Sequence, residues 1–199
     1  MKINTPLFKI EIEWLMIITI IISIFSLNAR NYLSNFFICY IFILFHEMSH
    51  MFFGAIFGEE IDTLKLTISG VNVLFKEDIL TCNVGKIKKL IIYFAGPISN
   101  FIIAIIFKNV KMVFEINIFL GCLNLIPIYP LDGYNILYTI LDKFKNRKNI
   151  LNHICKIIFI ILIILSIIQV MLYKTFSFIV FTIYLFFVSK SRKKSHFKY

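Results

Sequence analysis

Recurring stretches of apolar sequence, close to the length that crosses a lipid bilayer, constrain this chain more than any other feature. They recur at residues 14–27, 36–57, 90–107, 112–128, 157–172 and 176–188. A spanning helix needs about 20 apolar residues, with a range of about 17–25. The second and third runs meet that length outright, while the first and the last two draw on flanking residues. Lys174 divides the last two, so a tight hairpin is expected there rather than one long helix. Composition agrees with this reading: 59% of the 199 residues are hydrophobic, 16% are charged, and the mean hydropathy is +0.86. An average soluble domain carries about 25% charged residues. These values exclude a soluble globular enzyme, a disordered chain and a disulfide scaffold. The expected fold is an all-α polytopic membrane protein with six transmembrane helices.

The first run has a rival reading as a signal peptide, since Lys2 and Lys9 precede it. Glu11 and Glu13 interrupt the basic stretch such a peptide needs, which favours an uncleaved anchor. With six spans, seventeen of the 21 Lys and Arg residues fall on one side of the membrane. Only Arg30, Lys108, Lys111 and Lys174 fall on the other. Positive-inside bias then places both termini in the cytoplasm. The net charge of +10 is thereby topogenic, and nucleic acid is not an expected partner. Between the second and third spans, residues 61–75 alternate β-prone and polar side chains around Ser69-Gly70. A small membrane-associated β-hairpin fits this segment better than a helix. Four cysteines without C-x-x-C spacing argue against disulfides and against a Cys-based zinc knuckle.

His46-Glu47-Met48-Ser49-His50 forms an H-E-x-x-H inside the second run. On a helix, residues i and i+4 share a face, so both imidazoles can reach one ion. Glu47 stands beside them without being a ligand, where it can take a proton from an attacking water. Zinc suits the pattern, because it lowers the pKa of bound water to about 7 and polarises a carbonyl. With 4 His and 7 Glu in the chain, chance matches number about 0.003. The motif also puts three ionisable groups at bilayer depth, where an ionised side chain costs about 2.5–3.5 kcal/mol. A lone buried histidine is commonly structural; two with a glutamate in hydrocarbon read as a metal site.

Catalytic zinc usually takes three protein ligands plus water, so one ligand remains to be found. His153 falls in a basic loop and His196 in the tail. Glu13 and Glu115 sit near span ends, and of the acids only Glu47 and Asp132 lie clearly within membrane segments. Asp132 is the third ligand by elimination. The second and fourth spans both run from outside to inside, so His46, His50 and Asp132 can meet near the cytoplasmic face. One Zn2+ per chain is the expected cofactor.

Three groups of residues carry a family resemblance. His46–His50 continues to Gly54-Ala55 and Gly58; Ala95-Gly96-Pro97 precedes Asn100; and Asn124-Leu-Ile-Pro127-Ile-Tyr-Pro130-Leu131-Asp132-Gly133 follows. Together they resemble the site-2 proteases, which are intramembrane zinc metalloproteases. The layout of six short spans is closest to the stage IV sporulation protein FB branch. The resemblance implies His46, His50 and Asp132 as zinc ligands, Glu47 as catalytic base, and Asn124 as a holder of substrate backbone. An amide can bond the N–H and C=O of an extended peptide together, although an interhelical hydrogen bond accounts for Asn124 equally well. Pro127 and Pro130 break the helix and leave irregular backbone, tolerable at bilayer depth only around a wet cavity. Two roles stand open for Gly96, Pro97 and Asn100, facing the site or helix packing through small residues, and packing is the expected one; Gly54 and Gly58 are expected to permit close approach. Residues 68–71 stand where the family usually shows a proline–glycine–glycine-type loop, without the proline or the second glycine. Branch members often continue into a nucleotide-sensing CBS domain; here the chain stops ten residues into its tail, and no such domain is expected.

Residues 1–189 are thus expected to form a single integral-membrane protease domain, its catalytic core at about 35–135. Residues 190–199 are expected to be a short basic cytoplasmic tail near anionic lipid. The expected activity is hydrolysis of a peptide bond in a membrane-tethered protein, by resemblance a pro-sigma factor during sporulation. The expected place is a bacterial cell membrane, the mother-cell or forespore membrane if that resemblance holds. Expected partners are this substrate, the lipid bilayer, and membrane inhibitor or regulatory proteins. Two alternatives stand beside it: a site-2 protease acting on an anti-sigma factor or signal-peptide remnant, and a metal-binding transporter or inactive scaffold. Neither a transporter nor a scaffold needs the base that Glu47 supplies.

Overall fold

The computed structural model describes residues 2–5, 8–18, 30–67, 70–76, 79 and 85–195. The chain divides into two compact units, Met1–Cys122 and Leu123–Tyr199. Among the described residues, three helices are long and apolar enough to cross a membrane: Asn35–Ile56, Lys86–Ile106 and Arg147–Tyr173. A fourth apolar stretch, Phe178–Lys190, is shorter. Of the expected first span, residues 14–18 are helical and the rest lie outside the described residues.

The first unit joins a small sheet to helices. Its strands are β1 (Lys2–Asn4), β2 (Lys9–Ile12), β3 (Ile61–Thr67) and β4 (Gly70–Phe75), in the order β1-β2-β3-β4. β3 and β4 form the expected antiparallel hairpin, while β2 lies parallel to β3. The all-α expectation therefore fails at the N-terminus. Lys9-Ile-Glu-Ile12 alternates polar and apolar residues with the period of a strand, and its Lys9 pairs with Asp62 at 3.5 Å. Helix α1 (Arg30–Ile56) packs on this sheet through Tyr40, which shares a core with Met16, Leu64 and Val71. The Tyr40 hydroxyl reaches the carbonyls of Thr67 (3.2 Å) and Gly70 (3.4 Å), on either side of the hairpin turn. Gly70 takes a φ of +145, a conformation that excludes side chains with a Cβ. At the open end of the hairpin Lys76 pairs with Glu60 and holds its carboxyl below the usual range.

Gly58 ends α1 with a φ of +87. Its N–H bonds the Ala55 carbonyl at 3.1 Å, and the next N–H, from Glu59, bonds Gly54 at 2.9 Å, the hydrogen-bond pattern of a Schellman cap. Helix α2 (Lys86–Ile106) buries Ile92, Gly96, Asn100 and Ala104 at four-residue spacing, which makes one stripe along the helix. Helix α3 (Lys111–Asn124) follows; its buried Gly121 leaves room for the Phe101 ring of α2, which stands 2.9 Å from where a Cβ would be.

The second unit begins where the fourth apolar run breaks. That run was expected to continue through residue 128, but the helix stops at Asn124. Pro127 and Pro130 cannot donate to a helix, and each pushes the residue before it toward extended backbone. Ile128, fully buried within the break, packs with Leu162 and Leu185. Helix α4 (Asp132–Ile140) starts two residues after Pro130. Gly133 lies against the break, since a Cβ there would sit 2.6 Å from the Ile126 carbonyl carbon. Helix α5 (Arg147–Tyr173) begins ten residues before its apolar run, so the expected loop at 142–156 is mostly helix. Its first turns carry Arg147, Lys148 and Lys156, which hid them from a hydropathy reading. Lys174 caps α5 in the left-handed conformation, φ 54, at the expected hairpin. Helix α6 (Ser177–Ser195) then takes in most of the expected tail; residues 196–199 lie outside the described residues. Ser166 and Thr182, both buried, link α5 and α6 at 3.1 Å.

Candidate metal centre

His46 and His50 lie one turn apart on α1, both buried, and both face the small-residue stripe of α2. His50 Nδ1–H donates to the Ile92 carbonyl at 2.7 Å. His46 Nδ1–H donates to Asn100 Oδ1 at 2.5 Å. With both Nδ1 atoms used as donors, the lone pair of each neutral ring is on Nε2. The two Nε2 atoms stand 3.2 Å apart. Two lone pairs at that distance repel unless they share a cation. Two nitrogens on one tetrahedral zinc, each at about 2.0–2.1 Å, would be about 3.3–3.4 Å apart, so the observed spacing fits zinc with little adjustment.

Gly96 makes the approach of α2 possible. A Cβ there would lie 2.5 Å from His46 Nε2 and 2.6 Å from His46 Cε1. Of the two roles open to Gly96 and Asn100, helix packing was the favoured one; the structure places both against the histidines. The stripe at Ile92, Gly96, Asn100 and Ala104 could have revealed this, because it puts one polar residue among three small or apolar ones. Gly54, one turn beyond His50, opens space for the Phe75 ring at the end of β4, with Phe75 Cζ 2.8 Å from where a Cβ would be.

Glu47 is half-buried on α1, beside His46 in the chain and off the two-histidine face. Asp132, in the second unit, is half-buried and occupies the first turn of α4, where the positive end of the helix dipole favours a carboxylate. His46, His50 and Asp132 each offer one ligand atom of the kind zinc accepts. Asn124 is the last residue of α3, at the entrance to the break. His153 is exposed on α5, its Nδ1 on the Asn149 carbonyl, and His196 lies outside the described residues.

An apolar helix that carries H-E-x-x-H, its histidines held by a second helix, is the arrangement of a candidate zinc site. Comparison with known proteins narrows it. Residues 106–168 match Peptidase family M50. The zinc metalloprotease MJ0392 of Methanocaldococcus jannaschii is 30% identical over 151 residues, which cover 68% of this chain and 42% of that protein. The chain therefore spans about two-fifths of the length of this curated relative. A site-2 protease from Methanocaldococcus jannaschii has the same fold, with a TM-score of 0.64 over 96% of this chain and 94% of that one, at 21% identity. The fold is that of a site-2 protease, and the stretch that resembles Peptidase family M50 includes Asn124, the proline break and Asp132.

Proposed function

We propose that this protein is an intramembrane metalloprotease that hydrolyses a peptide bond of a membrane-tethered protein near the cytoplasmic face. His46, His50 and Asp132 would hold one zinc ion, with Glu47 as the base and Asn124 holding substrate backbone. The observation that carries this reading is the pair of Nε2 atoms 3.2 Å apart, with a glutamate of the same helix beside them. The chemistry that bound zinc supplies is Lewis acidity, which brings the pKa of water to about 7 and polarises the scissile carbonyl. Glu47 takes the proton from the attacking water and passes it to the leaving amine. Asn124, at the broken end of α3, offers an amide donor and acceptor to a substrate strand. By resemblance of its layout to the sporulation branch, the substrate is a membrane-tethered pro-sigma factor. Co-expression with such a factor tests this, and a shortened product is expected. A shortened anti-sigma factor in place of it would move the protein to another site-2 role.

In this reading six spans place both termini in the cytoplasm, on the strength of the Lys and Arg distribution. Reporter fusions at Lys148 and after Tyr199 are expected to report a cytoplasmic location, and one at Lys174 an external one. An external signal at Lys148 would put Asp132 at the wrong depth for the histidines and dismantle the three-ligand site.

Strand β4 ends the sheet order, and its outer edge is suited to capture an unwound substrate by strand addition. Proline cannot donate to such a strand. Proline scanned across Val71–Phe75 is expected to lower cleavage at one or more positions with zinc content and expression unchanged. Full cleavage by every variant would leave the hairpin as a cover over the site.

A further inference from the structure

A neutral imidazole has two tautomers, and His46 can ligate through Nε2 only when the proton resides on Nδ1. His50 has this settled directly, because its Nδ1 faces the Ile92 carbonyl, a group that can only accept. The partner of His46 is ambivalent: the Asn100 amide accepts at one end and donates at the other. Turned by 180°, it would present Nδ2 to His46 and favour the wrong tautomer. A second amide removes the ambiguity. Asn117 Nδ2 donates to the Val113 carbonyl at 2.9 Å, which again can only accept, so the oxygen end of Asn117 is fixed. That oxygen accepts from Asn100 Nδ2 at 3.0 Å, which turns Asn100 Oδ1 toward His46 Nδ1 at 2.5 Å. Both asparagines are completely buried, at 0% exposure.

We propose that Asn117 and Asn100 form an orienting relay, running from the Val113 carbonyl to His46 Nδ1, that locks His46 with its Nε2 lone pair toward the metal. Both are positioning residues: Asn100 acts on His46 directly and Asn117 acts through Asn100. A pair of asparagines that only joined α2 to α3 would need the single bond between them. The contacts at either end, one to an obligate acceptor and one to a ligand imidazole, are what orientation requires. The inference rests on His46 as a metal ligand, as proposed above.

The test is zinc affinity of the full-length protein in detergent, measured by competition with a chromophoric chelator. Loss of an outer partner of a ligating histidine typically costs 10–100-fold in metal affinity. Asn117→Leu is expected to weaken zinc binding by about that factor, because Asn100 is then free to turn. Asn100→Asp provides a carboxylate, which can only accept and so orients His46 without help. In the Asn100→Asp background, Asn117→Leu is therefore expected to change affinity by less than about 3-fold, as residues of one network are not additive. An equal loss in both backgrounds, or none in the Asn100 background, overturns the relay. If Asn117→Leu does not fold, nitrogen-15 NMR of histidine-labelled, metal-free native protein decides. It is expected to show a proton on His46 Nδ1, with or without a shared proton between the two Nε2 atoms, and an unprotonated Nδ1 overturns the proposal. Zinc content of His46→Ala reports separately on the ligand assignment: unchanged zinc would defeat that assignment, while the tautomer measurement would still test the relay.

Discussion

Glu47→Gln is expected to keep zinc and lose turnover, by about 10²–10⁴-fold, the range typical of a general acid–base group. Glutamine preserves the size and polarity of the side chain, so the helix and the two histidines need not move. Its amide nitrogen cannot take a proton from water. The same measurement on His46→Ala or Asp132→Ala should show loss of metal together with loss of cleavage, since each removes one ligand from the proposed set. Zinc content and substrate cleavage, read side by side, separate the two outcomes. Cleavage by Glu47→Gln at close to the native rate would end the hydrolytic reading.

Gly96→Ala is expected to be nearly as damaging, for a reason that lies in α2 rather than in the metal ligands themselves. The added methyl would stand 2.5 Å from His46 Nε2 and 2.6 Å from His46 Cε1, closer than real Cβ atoms come to their neighbours. Either the imidazoles turn away or α2 moves off α1, and both changes spoil the spacing of the two Nε2 atoms. Zinc affinity should fall by at least about 10–100-fold, the range seen when the support of a ligating histidine is lost, and cleavage should fall with it. Gly121→Ala is the matched control. There the methyl meets the edge of the Phe101 ring, 2.9 Å away, outside the pair of histidines. That variant should lose some stability through overpacking, typically about 1–3 kcal/mol, yet bind zinc. Native zinc affinity in Gly96→Ala would show that the histidines have more room than their positions indicate.

The two histidines were legible because the spacing of an H-E-x-x-H puts them on one face of a helix whatever else surrounds it. The hairpin was legible because residues 61–75 alternate in a segment that is otherwise all apolar runs. Other features depended on information that no local pattern holds. A glycine gives no hint of what approaches it, so the role of Gly96 became visible only with α1 opposite. The strands at Lys2–Asn4 and Lys9–Ile12 have three and four residues, too few for their alternation to stand out ahead of an apolar run. Hydropathy located the runs at 112–128 and 157–172 but misplaced their ends. It registers neither a proline break in an apolar stretch nor a helical turn built from Arg147 and Lys148.

The parallel pairing of β2 with β3 also bears on how the nascent chain enters the membrane. A parallel pair cannot be closed by a short turn, and here Ile12 lies beside Leu66 after a long excursion that includes α1. An excursion that begins and ends at one sheet returns to the side it left, so an odd number of bilayer crossings cannot lie between the two strands. During synthesis β2 is finished first and has only β1 to pair with until the chain has delivered β3 to the same face. With β2 and β3 on opposite faces, the chain could keep only the separate β1-β2 and β3-β4 pairs. The four-stranded order is complete only when the two hairpins lie on one face.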